Sequence, residues 1–474
     1  MFTDLGPYGS YGEQQVGWLP PAPAHWTRAR FRNVLRERDH RSASGDEQLL
    51  RVSQFTGVTE RLHIGGEADT RAASLVGHKR IELDDLVVNI MLAWNGSLGV
   101  SRYEGIVSPA YCVYSFSAAS DPWYYHCLLR TPEYRDRIKA LSTGVVDSRL
   151  RLYTDDLYGL EALVPPIAEQ AAIVKYLAHA HHRIDRAIAA KRKLIALLEE
   201  QKQAIINQAV TRGLDPTVPL KDTGILWLGA IPAHWSVKPI GAVSSLVQTG
   251  PFGSQLHAED YVSGGVPVIN PSHITGSSIH ADRDISVAER TASRLSRHRF
   301  KVGDVVLARR GELGRCAVVG AEEAGWLCGT GSLIVRPDPE VDSRYLQVRV
   351  SSAATRAELD ARSTGATMPN LNVQMISKLR IPVPPVSEQQ RIVDALEREE
   401  SAWRQTSRVI EAEIALLREF RTRLTSDVVT GLLDVRHIAA TLSDAGPGEF
   451  DRDVSAMGDD LVDEVAEFLE DVDA

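Results

Sequence analysis

Val164-Pro165-Pro166-Ile167-Ala168-Glu169-Gln170 returns further along the chain as Val383-Pro384-Pro385-Val386-Ser387-Glu388-Gln389. The match continues without a gap to Leu214-Asp215 and Leu433-Asp434, through Ile195-Ala196-Leu197-Leu198 against Ile414-Ala415-Leu416-Leu417. A second echo precedes it: Trp18-Leu19 and Pro23-Ala24-His25-Trp26 reappear as Trp227-Leu228 and Pro232-Ala233-His234-Trp235. The order is therefore module, helix, module, helix. A period of roughly 200 residues is far longer than the 20–50 of solenoids and propellers. It predicts an α+β protein with a pseudo-twofold internal repeat, in which two similar modules are joined by two long antiparallel coiled-coil helices. A ligand with two separated sites suits such a molecule, and duplex DNA is the commonest of these.

The proline pairs stop the preceding strand and set the start of each helix. Ile173, Leu177, Ala180, Ile184, Ile188, Ile195, Leu198, Ile205 and Ala209 follow 3–4 spacing, interrupted by Lys191 and Lys202. Ile392, Leu396, Trp403, Ile410, Ile414, Leu417, Phe420, Leu424 and Val428 do the same. These are coiled-coil seams. Neither helix is stable alone in water with its stripe exposed, and their equal lengths pair them antiparallel.

The expected boundaries are a loose N-terminus at 1–17, a first module at 18–163, a first long helix at 164–215, a second module at 216–382, a second long helix at 383–434 and an acidic tail at 435–474. Strands are expected at Leu86–Leu92, Tyr111–Phe116, Val266–Ile269, Asp304–Arg309, Cys316–Val319 and Ser332–Arg336. Thr131-Pro132-Glu133 predicts a capped helix start. The turns Gly96-Ser97-Leu98-Gly99 and Gly311-Glu312-Leu313-Gly314 correspond, as do Ser142-Thr143-Gly144 and Ser363-Thr364-Gly365, so the modules share one fold with divergent loops.

The chain has 474 residues and a formal charge of −9. Most of that charge belongs to residues 441–474, with twelve acidic residues and one arginine; the rest is near neutral, which leaves nucleic acid open as a partner. Leu461, Val465, Phe468, Leu469 and Val472 fall on one face of a short amphipathic helix in this tail, either a solvated end or a docking peptide. No apolar run approaches the ~18 residues of a membrane helix, and the N-terminus lacks the pattern of a signal peptide. Cys112, Cys127, Cys316 and Cys328 form no C-x-x-C pair, which fits unpaired thiols in a reducing cytoplasm.

No phosphate loop, dinucleotide fingerprint, H-E-x-x-H motif or G-x-S-x-G elbow is present, and no catalytic residue or metal ligand is assigned. His179, His181 and His182 read as a solvated helix face. His25-Trp26 and His234-Trp235, being duplicated, read as packing elements. Arginines cluster at Arg28, Arg30, Arg32, Arg36, Arg38 and Arg41. A second cluster holds Arg294, Arg297, His298, Arg299 and Lys301, close to Arg309, Arg310 and Arg315. Basic clusters on a neutral body supply phosphate contacts. Base readers are amide, hydroxyl or guanidinium groups on loops. The candidates are Gln54, Thr56, Asn95, Ser97 and Arg149 in the first module. In the second they are Gln248, Thr249, Ser254, Gln255, Arg309, Arg310, Glu312, Asn370 and Asn372. Gly250-Pro251-Phe252-Gly253 lets the backbone approach a phosphate or a groove wall. A stand-alone enzyme carrying its own specificity region, and a coiled-coil scaffold with two protein-binding modules, are the competing readings.

The layout resembles the specificity subunit of type I restriction-modification enzymes. The resemblance rests on Pro-Pro-(x)2-Glu-Gln opening both helices and on Thr249-Gly250-Pro251-Phe252-Gly253-Ser254-Gln255-Leu256. It rests also on Gly105-Ile106-Val107-Ser108-Pro109-Ala110-Tyr111, on Leu128-Leu129-Arg130-Thr131-Pro132-Glu133-Tyr134, and on the stretch from Ser142-Thr143-Gly144 to Leu150-Arg151-Leu152-Tyr153. It covers about residues 18–434. It implies that each module is a target recognition domain for one half of a bipartite, asymmetric DNA sequence, and that the helices space the halves. It implies further that two modification subunits, which bind S-adenosylmethionine and methylate adenine, dock on the helices. Motor-nuclease subunits complete the complex, and this chain has no cofactor or catalysis of its own. The first module has no Gly-Pro-Phe-Gly; Ser53-Gln54-Phe55-Thr56-Gly57-Val58-Thr59 stands near its expected place.

Overall fold

The computed structural model describes residues 5–13, 17–61, 75–144, 149–225, 227–252, 255–363 and 370–443. It is an α+β protein with two compact units, Met1–Arg192 with Glu411–Ala474 and Lys193–Ile410.

Unit 1 is built on strands β1 (Leu35–Arg38), β2 (Leu86–Asn89), β3 (Leu98–Val100) and β4 (Tyr111–Phe116). Their order is β1-β4-β2-β3, antiparallel throughout. The apolar run of β2 follows from its place, because both faces are covered. Leu86 and Val88 face a core with Phe31, Tyr124, Tyr134 and Leu177, whereas Val87 joins Val52, Val58 and Val107. The helix Pro132–Leu141 starts on Thr131, whose hydroxyl accepts from the Tyr134 amide.

Unit 2 repeats the plan with β5 (Ser244–Thr249), β6 (Val305–Ala308), β7 (Cys316–Val318) and β8 (Ser332–Pro337), in the order β5-β8-β6-β7. Val305 and Leu307 face one core while Val306 and Ala308 face another. In both units the chain returns to its beginning before the long helix starts: Thr27–Arg30 pairs with Glu161–Val164, and Ser236–Pro239 pairs with Arg380–Val383.

The long helices span Ile167–Arg212 and Val386–Val429. Their repeated sequence has a local cause. Gln170 donates to the Pro165 carbonyl at 2.8 Å and accepts from the Asp121 amide at 2.8 Å, and Asp121 in turn caps the helix Pro122–Leu129. Gln389 treats Pro384 and Asp342 identically. Glu169 accepts from Trp26 Nε1 at 2.9 Å and lies 2.8 Å from His25 Nε2. Glu388 accepts from Trp235 Nε1 at 3.1 Å and lies 2.9 Å from His234 Nε2. Each tryptophan also packs against the glycine that ends a long helix, Gly431 for Trp26 and Gly213 for Trp235, both at positive φ. The duplicated His-Trp and Glu-Gln pairs are thus the two halves of one fastening.

Within unit 1 the helices run antiparallel, with His181 Nε2 2.8 Å from Thr425 Oγ1, Arg421 paired to Asp185 at 3.1 Å and Lys191 to Glu413 at 2.6 Å. Within unit 2, Ala209 and Val210 pack against Ile392, Val393 and Leu396, again antiparallel.

Three features differ from the sequence expectation. Residues 5–13 are held rather than loose: Tyr8 is 4% exposed, its hydroxyl donates to Glu169 at 2.6 Å, and Gly6 bridges to Asp434. Phe420 is 40% exposed and off the seam, because Arg421 takes the inward position to reach Asp185. His181 is buried instead of solvated, and burial with the nearby Arg421 charge holds its pKa well below the ordinary histidine value. The acidic tail beyond Ser443 lies outside the described residues.

Candidate nucleic-acid interface

One end of the unit 2 sheet gathers the loops that follow β5, follow β6 and precede β8. Gly250 donates its amide to the Ser332 carbonyl at 3.1 Å, and a Cβ at Gly250 would lie 1.9 Å from the Gly329 carbonyl oxygen. The close approach that selects this glycine is to the chain's own backbone, not to a phosphate. Arg309 locks the cluster together. It is 7% exposed, its Nε donates to the Leu371 carbonyl at 2.8 Å and its Nη1 to Thr330 at 3.2 Å, and its guanidinium lies over the Phe252 ring at 5.0 Å. Burial and the adjacent Arg310 charge lower its pKa. Leu371 donates its amide back to the Arg309 carbonyl, and Arg310 bridges to Asn370. Thr249, Arg309, Arg310, Asn370 and Asn372 are brought together here.

Their side chains differ in availability. Arg310 and Asn370 are exposed and take no side-chain partner among the described residues. Asn372 caps the helix Val373–Lys378 by accepting from the Met375 amide at 2.8 Å. Gln248 holds its side-chain amide 2.8 Å from His298 Nδ1. Gln255 Oε1 accepts from the Phe252 amide, Glu312 pairs with Arg356, and Ser254 lies outside the described residues. Of the basic cluster, Arg294 pairs with Asp260 and Arg299 with Glu289.

The corresponding end of the unit 1 sheet has the same architecture, including a Leu152 amide bonded to the Ile90 carbonyl where Leu371 meets Arg309 in unit 2. Here Arg130 is the organiser. Its Nη1 donates to Leu98 at 2.7 Å and its Nη2 to the Gln54 and Phe55 carbonyls at 2.8 and 2.9 Å. It thereby joins the turn carrying Gln54 and Thr56 to the one carrying Asn95 and Ser97. Thr56 and Ser97 are buried, and the Ser97 hydroxyl donates to Asn95 Oδ1 at 2.8 Å. Those groups shape their own turns. Arg149 stands apart from them, exposed and without a side-chain partner among the described residues. Gly144 fits against its carbonyl, where a Cβ would come within 2.4 Å. The segment 53–59 is a hairpin joining Leu50–Ser53 to Gly57–Glu60, so it is not the positional counterpart of Gly250–Phe252, which would follow β1. The first arginine cluster is largely engaged within the chain: Arg28 and Arg30 donate to the Pro20 and Gly159 carbonyls, and Arg38 pairs with Glu82 and Asp85.

Residues 232–413 match the family model described as type I restriction modification DNA specificity domain. The EcoKI specificity subunit of Escherichia coli (strain K12) is 26% identical over 272 residues, 56% of this chain and 55% of that one. The MjaVIII specificity subunit of Methanocaldococcus jannaschii is 21% identical over 329 residues, 67% of this chain and 74% of that one. A solved chain from work on complex assembly and conformational transition of the type I R-M system superposes with a TM-score of 0.62 at 18% identity, over 86% of this chain and 98% of that chain. This chain is similar to the specificity subunits of type I restriction-modification systems, and its residues 232–413 carry their DNA specificity domain. The first of these alignments takes in only about half of the relative's length.

At these two sheet ends Arg130 and Arg309 are positioning residues. Each holds several loop carbonyls that are distant in sequence. The sequence marks both positions, Arg130 within the 128–134 stretch and Arg309 as a candidate base reader, but not this positioning role, because the partners described above are mostly backbone carbonyls, which leave no mark on residue identity. Among the described residues no group of three or more His, Cys, Asp or Glu could hold a metal ion, and no helix is long and apolar enough to cross a membrane.

Proposed function

We propose that each unit reads one half of a bipartite, asymmetric DNA target through the loops at its sheet end. The long helices, which run from one unit into the other, set the number of unread base pairs between the halves. They also carry two modification subunits, and motor-nuclease subunits complete the assembly. The chemistry resides in those partners: the modification subunits bind S-adenosylmethionine, and this chain contributes sequence choice without catalysis or cofactor. Action on DNA places the complex in the cytoplasm.

The observation that carries this reading is the duplicated sheet with differing loops at the same end. One fold presents Arg310 and Asn370 in one copy and Arg149 in the other. Arginine and asparagine are the side chains suited to bidentate contacts with guanine and adenine edges, and arginine serves phosphates equally. For partner docking, the support is apolar surface on the long helices. Leu416 and Phe420 are exposed in unit 1, and Leu194, Leu197 and Val409 in unit 2.

Selection of bound duplexes from a random pool by the assembled complex tests the reading. Enrichment of a two-part sequence is expected. An assembled complex that enriches no sequence would favour the scaffold with two protein-binding modules.

A further inference from the structure

We propose that Phe55 in unit 1 and Phe252 in unit 2 are apolar wedges that enter the base stack of the DNA half-sites and bend the duplex there, which rests on the reading of the sheet ends as DNA surfaces. A single exposed phenylalanine needs no explanation by itself. These two are 42% and 49% exposed, and each stands among the candidate base readers. Phe55 lies between Gln54 and Thr56 in its hairpin turn, and Phe252 lies on the loop that follows Thr249.

What sets them apart is the support beneath. The Phe55 amide donates to Ser53 Oγ at 3.0 Å, and its carbonyl accepts from Arg130 Nη2 at 2.9 Å. Arg130 Nη1 is tied in turn to the Leu98 carbonyl, so the hairpin tip is fixed to the neighbouring turn. In unit 2 the Arg309 guanidinium lies 5.0 Å from the centre of the Phe252 ring and is itself held by the Leu371 and Thr330 carbonyls. The same loop is pinned at Gly250, whose amide donates to the Ser332 carbonyl at 3.1 Å. The two loops are not positional counterparts, one being a hairpin tip and the other following β5. Duplication therefore did not supply the likeness: an exposed phenylalanine on an arginine-braced loop arises separately in each unit. Bracing is what a wedge requires. Parting two base pairs costs their stacking, and a loop that gave way would yield before the duplex did. Phenylalanine is one of the apolar side chains that kink a duplex by this means.

Energy transfer between dyes on the two ends of a duplex, measured with the assembled complex, tests this. The duplex is the one most enriched from a random pool. Phe55→Ala, Phe252→Ala, the double variant and Phe252→Leu are compared with the unaltered chain. The unaltered complex is expected to bend the duplex, each alanine variant to bend it less, and the double variant to leave it nearly straight. Affinity should fall roughly tenfold per phenylalanine removed. Phe252→Leu should keep the bend, since leucine also serves as a wedge, and the melting temperature of every variant should stay unchanged. A straight duplex on the unaltered complex, or an unchanged bend in the double variant, overturns the wedges and leaves DNA reading intact. Loss of a preference for one thymine with the bend unchanged overturns them too, and assigns the rings to thymine methyl groups in the groove. A complex that enriches no sequence removes the DNA reading, and the wedges with it.

Discussion

Glu169 and Glu388 occupy equivalent positions yet hold different loads. Glu169 is 5% exposed and serves Tyr8, His25 and Trp26, whereas Glu388 is 16% exposed and serves His234 and Trp235. A buried donor left without an acceptor costs about 1–3 kcal/mol. Glu169→Leu orphans the Tyr8 hydroxyl and the Trp26 indole, so a loss of about 3–4 kcal/mol is expected. Glu388→Leu orphans one indole and should cost about half as much. Urea unfolding of the two variants measures this, and equal losses would contradict the assignment. Arg309 and Arg310, although adjacent, separate in the same way. Arg309→Ala should lower the melting temperature, since Leu371 and Thr330 lose their donor. Arg310→Ala should leave melting unchanged and reduce the slope of log K against log salt for DNA binding by about one if the residue meets a phosphate. An unaltered slope and unaltered sequence preference would remove Arg310 from the interface.

At the scale of elements, the helices follow from Pro-Pro-x-x-Glu-Gln and the 3–4 apolar spacing, and the strands of both sheets from short apolar runs between turns. Their common topology was legible because the landmark turns repeat. The interface was less so. Asn95 and Ser97 look like free polar groups in sequence but bond to each other, and Asn372 caps a helix. Phe420 and Arg421 exchange roles because an ion pair with Asp185, distant in sequence, outweighs the apolar period. The organising role of Arg130, and the Gly329–Ser332 turn, are not legible in the sequence because the contacts that define them go to backbone carbonyls. The helices themselves offer a mechanical test. Four residues inserted after Ala190 add about 6 Å to the first long helix. The native target should then bind more weakly, or the tolerated gap should change. Unchanged affinity with an unchanged gap would remove the spacer role.

At the scale of the whole molecule, the proposed reading of the internal repeat makes specificity divisible. Replacing residues 220–380 with the corresponding module of another specificity subunit should alter one half of the target and leave the other intact. Alteration of both halves would show that the units do not read independently. The most direct test of the account is a methylation map. The chain is co-expressed with the proposed modification subunit in an unmethylated host, and modified adenines are located across the genome. The account predicts one motif of two unlike parts separated by a fixed gap. Methylation at a single continuous sequence, or its absence when the complex is assembled and loaded with S-adenosylmethionine, would contradict it.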